Sequence, residues 1–360
     1  MDSRLAKLRE LVTSYLEGIP MLISSPENRR YLSGFTGSAG YLLIGEQESL
    51  LITDFRYVEQ ASAQAAGFRV VRGEFPLLRT VAEVVSQRAW KRLGFEDEHV
   101  SFADYRRLQD LLPGVELVPG SQALRSLRQI KEPGELSCIR RAARMCDAAL
   151  EAVLPLFTPG VEEAELAWAL ERRLREAGAE DIAFPPIVAS GPRSSLPHGR
   201  ASHRRLQRGD LVTVDFGARY QGYCSDMTRT VAVGEVSADA RRVYEVVARA
   251  QQAGLQAIRA GASCREVDAA ARGVIEEEGF GEYFGHGLGH GVGLSVHEGP
   301  RLSPHAEEDA VLQPGMVVTV EPGVYLPGRL GVRIEDLVLV TEDGCEIIST
   351  FRKDLLILGG

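Results

Sequence analysis

Four carboxylates, Asp215, Asp226, Glu321 and Glu335, intrude on stretches of this chain that otherwise read as buried strands, and one imidazole, His290, lies in a glycine-rich run between them. VTV precedes Asp215 and VVTV precedes Glu321. Lone acidic residues in strands are usually solvated or salt-bridged, whereas buried charges are paired or bind metal. In VTVDFGARYQGYCSDMTRTVAV (212–233) β-branched and aromatic residues flank ARYQGY, the tight end of a hairpin. A two-residue turn at Tyr220 and Gln221 would face Arg219 with Gly222 and set Asp215 opposite Asp226, on one face of the ladder. Glu321 in VVTVEPGVY and Glu335 in GVRIEDLVLV flank the loop LPGRLG, and a register centred on Gly328 makes them neighbours. Four carboxylates gathered in this way repel one another unless a cation neutralises them.

The run GHGLGHGVGLSVHEGPRLS (285–303) supplies the imidazole. Seven of the 37 glycines lie between Gly281 and Gly299, which lets backbone pack closely and present histidines from strand ends. No G-x-G-x-x-G fits this run and no Lys follows it, so it is not a phosphate loop, and His297-Glu298 lacks the second His of a zincin helix. Three of the seven histidines fall within twelve positions here, an arrangement that suits ligation better than a core hydrogen bond.

A chain of 360 residues, 44% hydrophobic, suffices for about two packed domains. Strand patterns in MLISS, YLLIGEQESLLITD and FRVVRG, with helical patterns over 80–93 and 103–112, predict a small α/β domain. VPGSQALRSLRQIKEPGELS, with Pro-Gly pairs near its ends, separates it from a long amphipathic helix over 135–156. The boundary is set near residue 128, giving domains 1–128 and 129–360. In the second domain two helix pairs, 135–156 with 161–178 and 238–259 with 264–278, each precede an acid-bearing hairpin, a weak internal repeat. MDSRLAKLRELVTSYLEG alternates charged and apolar residues at helical spacing without a compact apolar core, so a cytoplasmic protein is expected. Five scattered cysteines without C-x-x-C suggest neither a disulfide framework nor a thiolate zinc site. No apolar stretch is long enough to span a bilayer, and a net charge of −9 disfavours nucleic acid and anionic membranes.

HGLGHGVGLSVHEGP, VDFGA…SDMTRT, VTVEPGVY and GVRIED together resemble the pita-bread metallopeptidases: Xaa-Pro aminopeptidase, prolidase (Xaa-Pro dipeptidase) and methionine aminopeptidase. The likeness covers about residues 130–355, and the first 125 residues resemble, more loosely, the creatinase-type N-terminal domain. It implies an α+β pita-bread catalytic domain behind a smaller α/β creatinase-type domain. It also implies two divalent metal ions: Asp215 chelating one, Asp226 and Glu335 bridging both, and His290 with Glu321 completing the second. Such ions acidify a shared water and polarise the scissile carbonyl. Oxygen-rich ligation with one imidazole suits Mn²⁺ or Co²⁺, with Zn²⁺ also accommodated.

By the same resemblance Glu321 accepts the proton of the attacking water, His297 contacts the substrate carbonyl and His198, after Pro197, holds the leaving nitrogen or the substrate backbone. Arg193 stands where relatives often have Asn. Tyr325 resembles a tyrosine lying near the metals, Arg333 is placed to orient Glu335 and His286 reads as structural. The creatinase-type domain points to Xaa-Pro specificity over methionine aminopeptidase and, by analogy, to a homodimer. The intact ligand set disfavours a metal-free creatine amidinohydrolase and an inactive peptide-binding scaffold. Between dipeptidase and aminopeptidase, Arg301 is the residue able to bind the free carboxylate of a dipeptide. The expected partners are therefore proline-containing di- or oligopeptides, with dipeptidase preferred.

Overall fold

A computed structural model of the chain describes residues 2–359. Contacts divide it into two compact units, Met1–Arg128 and Gln129–Gly360. The first holds a six-stranded sheet in the order Arg69–Arg72, Ser49–Thr53, Tyr41–Ile44, Met21–Ile23, Arg92–Phe95, Glu116–Pro119. Its central strands are almost wholly buried, because MLI and LLI offer apolar side chains to both faces. Leu78, Val81 and Val85 of the helix Leu78–Gln87 join Leu108 of the helix Phe102–Leu111 in the core on one face.

One expectation for this unit is corrected. The helical pattern over 80–93 stops at Gln87, and Arg92–Phe95 is a strand running parallel to Met21–Ile23. Gly94 permits that pairing, since a Cβ there would lie 2.2 Å from the Met21 sulfur. The segment 118–137 carries a helix of its own, Ser121–Gln129, whose buried Leu124 and Leu127 give it an apolar side.

In the second unit each helix pair covers one sheet. Helix Pro133–Val153 starts on a Pro and a capping box of Glu132 with Glu135, and Glu163–Glu176 on a box of Glu162 with Glu165. Ile139, Ala142, Cys146, Ala149, Leu150 and Val153 recur at helical spacing along the buried stripe of the first helix. Truncating one such large side chain, as in Ile139→Ala, costs about 2–5 kcal/mol. The stripe packs on Val212, Val214 and Phe216 of the strand Asp210–Tyr220, which lies between Asp181–Ser190 and Met227–Val233.

The second pair, Ala238–Ala257 and Cys264–Glu277, is capped by Ser237 and Ser263. It packs on Val318, Val320, Val338 and Val340 of a sheet ordered Glu298–Leu302, Gly289–Gly291, Val317–Val320, Asp336–Val340, Cys345–Ile347. Because strand side chains alternate, Thr213, Asp215, Thr319 and Glu321 sit on the faces turned away from the helices. Those faces carry the polar residues of the site.

Candidate metal centre

The first hairpin turns at Gln221-Gly222 and not at Tyr220-Gln221: Tyr220 pairs with Tyr223 and Arg219 with Cys224. Both turn residues have positive φ, 47° and 83°, the type I′ geometry that favours Gly at the second position. Asp215 therefore faces Thr228 and not Asp226. The shift is two residues, which preserves face, so both aspartates still point to the same side. Between Tyr223–Cys224 and Met227–Val233 the ladder is interrupted at Ser225 and Asp226. There the Ser225 amide donates to the Ala218 carbonyl at 2.9 Å, and the Ser225 hydroxyl accepts from the Ala218 amide at 3.1 Å. A Cβ at Gly217 would lie 2.1 Å from the Ser225 carbonyl oxygen, so Gly217 lets this break form.

The glutamate hairpin has the expected register. Gly323↔Arg333 through Leu326↔Leu330 and Val317↔Leu339 through Val320↔Asp336 are two ladders in one alignment, which sets Glu321 opposite Glu335. These residues occupy the gap between the ladders and their amides turn elsewhere. The Glu321 N–H donates to the Leu288 carbonyl at 2.8 Å and the Glu335 N–H to the Thr228 carbonyl at 3.1 Å. The second bond fastens one hairpin to the other. Arg229, 2% exposed, reinforces the junction by donating to the carbonyls of Thr228 (2.9 Å) and Glu335 and to Asp336 Oδ1 (2.8 Å).

His290 enters from the strand Gly289–Gly291, its amide on Thr319 Oγ1 at 3.0 Å. Nδ1 lies 3.1 Å from the Gly291 carbonyl, a hydrogen bond that requires its proton there and turns Nε2 to the carboxylates. Nε2 is 3.2 Å from Glu321 Oε1 and 3.7 Å from Asp226 Oδ2. Ligand atoms of Asp226, His290 and Glu335 lie within 4.8 Å of one another. Among the described residues four buried side-chain polar atoms have no hydrogen-bond partner, and two are Asp215 Oδ1 and Glu335 Oε1. Orphaned carboxylate oxygens in a buried acidic cluster fit divalent cations, which would complete them.

Electrostatics carry the same mark. Burial and then the charges of Glu335, Asp215 and Glu321 push the Asp226 carboxyl well above its ordinary value. Glu335 is raised well above its ordinary value by burial and by Glu321 and Asp215. Asp215 is raised by burial, with the Arg333 charge opposing. Burial also acts on Glu321, but the hydrogen bond and charge of His290 prevail and bring it down to about 2. His290 is raised, because Glu321 outweighs the effect of burial. Carboxyls pushed toward their neutral form beside a closely paired imidazole and carboxylate mark a cluster that lacks compensating positive charge.

Arg333 bears on Glu335 through Thr228, whose Oγ1 accepts from its Nε at 3.0 Å and donates to Glu335 Oε2; the guanidinium also donates to Asp215 Oδ2 at 2.6 Å, Tyr325 Oη at 2.9 Å and the Pro197 carbonyl at 3.1 Å. Period-two spacing put Arg333 on the right face, but its reach carries it across the gap to the other hairpin. Tyr325 is buried, its hydroxyl shared between Arg333 and His286 Nε2, 2.9 Å away. His286 thus braces Tyr325. His297 is exposed, its ring edge-to-face with His290 at 4.3 Å between centroids. His198 is exposed on the loop whose Pro197 carbonyl Arg333 holds. Arg193 pairs with buried Glu163 and donates to the Arg200 carbonyl at 2.7 Å, tying that loop down. Arg301 is exposed and lies directly across the ladder from His290.

Residues 137–342 match the metallopeptidase family M24 and residues 4–130 the creatinase/prolidase N-terminal domain. The chain is an M24 metallopeptidase. It shares 46% identity with an uncharacterized peptidase of Bacillus subtilis, over 99% of this chain and all of that one. The Xaa-Pro dipeptidase structure from Bacillus anthracis superposes with a TM-score of 0.95 at 44% identity, covering 99% of this chain and 100% of the other. For the X-Pro aminopeptidase of Thermotoga maritima the values are 0.90, 38%, 98% and 99%. The fold is the expected pita-bread domain preceded by a creatinase-type one.

Two threonines of this M24 centre were not anticipated from the sequence. Thr228 Oγ1 donates to Glu335 Oε2 at 2.7 Å, and Thr319 Oγ1 donates to Glu321 Oε1 at 3.1 Å. Each lies two positions from an acidic residue, Asp226 or Glu321, and so shares its strand face; period two was the signal that could have found them.

Proposed function

We propose that this peptidase hydrolyses the Xaa-Pro bond of dipeptides and short peptides, as an Xaa-Pro dipeptidase of the prolidase type. The observation that carries the reading is Arg301. Its cross-strand position puts it on the same ladder face as His290, and among the described residues its guanidinium makes no ion pair. A free carboxylate on the proline of a dipeptide, bound with its scissile carbonyl at the centre, is the anion such a cation suits. An Xaa-Pro bond is a tertiary amide without an N–H, so its recognition must come from contacts of this kind.

Asp215, Asp226, His290, Glu321 and Glu335 would hold two divalent ions, and their oxygen-rich character suits Mn²⁺ or Co²⁺, with Zn²⁺ also accommodated. When bound, such ions supply Lewis acidity toward the carbonyl and acidify the attacking water. Glu321 takes the proton of that water at a carboxylate oxygen. His297 donates to the carbonyl oxygen as charge develops on it. His198 contacts the substrate on the side of the departing proline nitrogen, which leaves protonated. Arg333 and Thr228 hold Asp215 and Glu335 in place.

A homodimer and a cytoplasmic setting belong to this proposal. No helix among the described residues is long and apolar enough to cross a membrane. Likeness to the Thermotoga maritima enzyme favours a second reading, removal of the residue before proline from longer peptides. Rates on an Xaa-Pro dipeptide, an Xaa-Pro-Xaa tripeptide and a dipeptide without proline separate the readings. The dipeptidase reading expects the Xaa-Pro dipeptide to be cleaved fastest, and a preference for the tripeptide overturns it.

A further inference from the structure

The ring of His297 makes no hydrogen bond or ion pair among the described residues, so the backbone that carries it must set its position against His290. That backbone is the turn segment 293–297, whose first part is held by a hydrogen bond from the Gly293 amide to the Ser295 carbonyl at 3.0 Å. The Glu298 carboxylate fills the space beneath it. A Cβ at Gly293 would lie 2.3 Å from Glu298 Oε1, and the Ser295 amide approaches Oε2 at 3.4 Å. The Gly293 carbonyl in turn accepts the amide of Cys224, two residues before Asp226, at 2.7 Å.

Glu298 is held from below by a cation far away in sequence. Lys131 Nζ lies 2.8 Å from Glu298 Oε1, with side-chain exposures of 1% and 12%. The lysine is fixed at its other end, its amide donating to the Gly315 carbonyl at 2.9 Å beside an Ile130–Met316 bridge. The Gln129 side chain abuts Gly299, where a Cβ would lie 2.8 Å from Nε2. An ammonium so completely removed from water is costly, and its retention opposite a partly buried carboxylate calls for a role.

We propose that Lys131 is a positioning residue for the reaction: its ammonium fixes Glu298, Glu298 fixes the 293–297 turn, and the turn fixes His297 at the substrate carbonyl. The inference rests on the reading of His297 given above. Displacement of a catalytic group by about 1 Å costs on the order of a hundredfold in rate.

The test is a double-mutant cycle on the metal-loaded protein with an Xaa-Pro dipeptide, read as kcat, KM, metal content and melting temperature. Lys131→Met is expected to lower kcat about a hundredfold with KM and metal content nearly unchanged. His297→Ala lowers kcat by roughly 10²–10³. Because both act through one ring, the double variant falls no more than about threefold below His297→Ala. Multiplying losses, or wild-type kcat in Lys131→Met, overturns the proposal. Wild-type kcat in His297→Ala overturns the underlying reading of His297, an outcome visible in that single variant. If Lys131→Met does not fold, Lys131→Met/Glu298→Gln removes both charges and takes its place in the cycle. It is expected to fold, to lose kcat to the same extent and to show the same non-additivity; unimpaired kcat overturns the proposal.

Discussion

Neutralising one acid of the centre stabilises the metal-free protein. In Asp226→Asn the charge removed belongs to a group whose ligand atom lies within 4.8 Å of those of Glu335 and His290. Two like unit charges at that separation, in an effective dielectric of 20, repel by about 3.5 kcal/mol. Attraction to the His290 imidazolium and proton uptake by Asp226 and Glu335 offset part of this, leaving roughly 1–2 kcal/mol. For a unit of this size that raises Tm by about 2–8 °C. The sign depends on pH. Asp226 has a folded pKa raised above its unfolded value, so its contribution is fully favourable below the ordinary aspartate range and is lost as pH rises through the folded pKa. The asparagine does not titrate, so its advantage grows from acid to mildly alkaline pH. Calorimetric melting of both proteins in excess chelator, at about pH 5 and about pH 8, reads the gap directly. An Asp226→Asn variant that melts at or below the wild-type temperature at the higher pH, or a gap independent of pH, would mean that repulsion within the cluster does not destabilise the metal-free protein.

Thr228→Val removes the hydroxyl that donates to Glu335 and accepts from Arg333; metal affinity falls about 10- to 100-fold in competition with a chelator, and unchanged affinity would make the threonine a packing residue. Arg301→Ala lowers kcat/KM on Xaa-Pro dipeptides about ten- to hundredfold, the worth of a charge-assisted pair, and leaves Xaa-Pro-Xaa peptides little affected. Equal losses on both would make Arg301 structural and favour the aminopeptidase reading.

The two hairpins differ in how far the sequence specified them. Glu321 and Glu335 were legible as a pair because the loop between them is short and centres on Gly328, which adopts φ +69°, and the observed ladders keep that register. In the aspartate hairpin the strand pattern alone sets the turn one residue early, whereas the preference of a type I′ turn for Gly at its second position selects Gln221-Gly222. Alternation rescued the face but not the pairing, which is why Asp215 meets Thr228. Contacts between hairpins were not legible. Arg333 reaches Asp215, and Arg229 holds the Glu335 carbonyl, across more than a hundred residues of chain that no local periodicity links. Arg92 and Leu93, the first half of the strand Arg92–Phe95, fit the helical pattern over 80–93 because a short apolar run suits either state until its partner is known.

Asp215, Asp226, His290, Glu321 and Glu335 are proposed to hold the metal ions on which peptide hydrolysis depends. Stripping the protein with chelator, confirming removal by elemental analysis, and titrating Mn²⁺ back while following hydrolysis of an Xaa-Pro dipeptide tests this dependence. Activity is expected to be lost on stripping and to recover with saturation as the cluster fills with two ions per chain. Undiminished hydrolysis by the stripped protein would contradict that dependence.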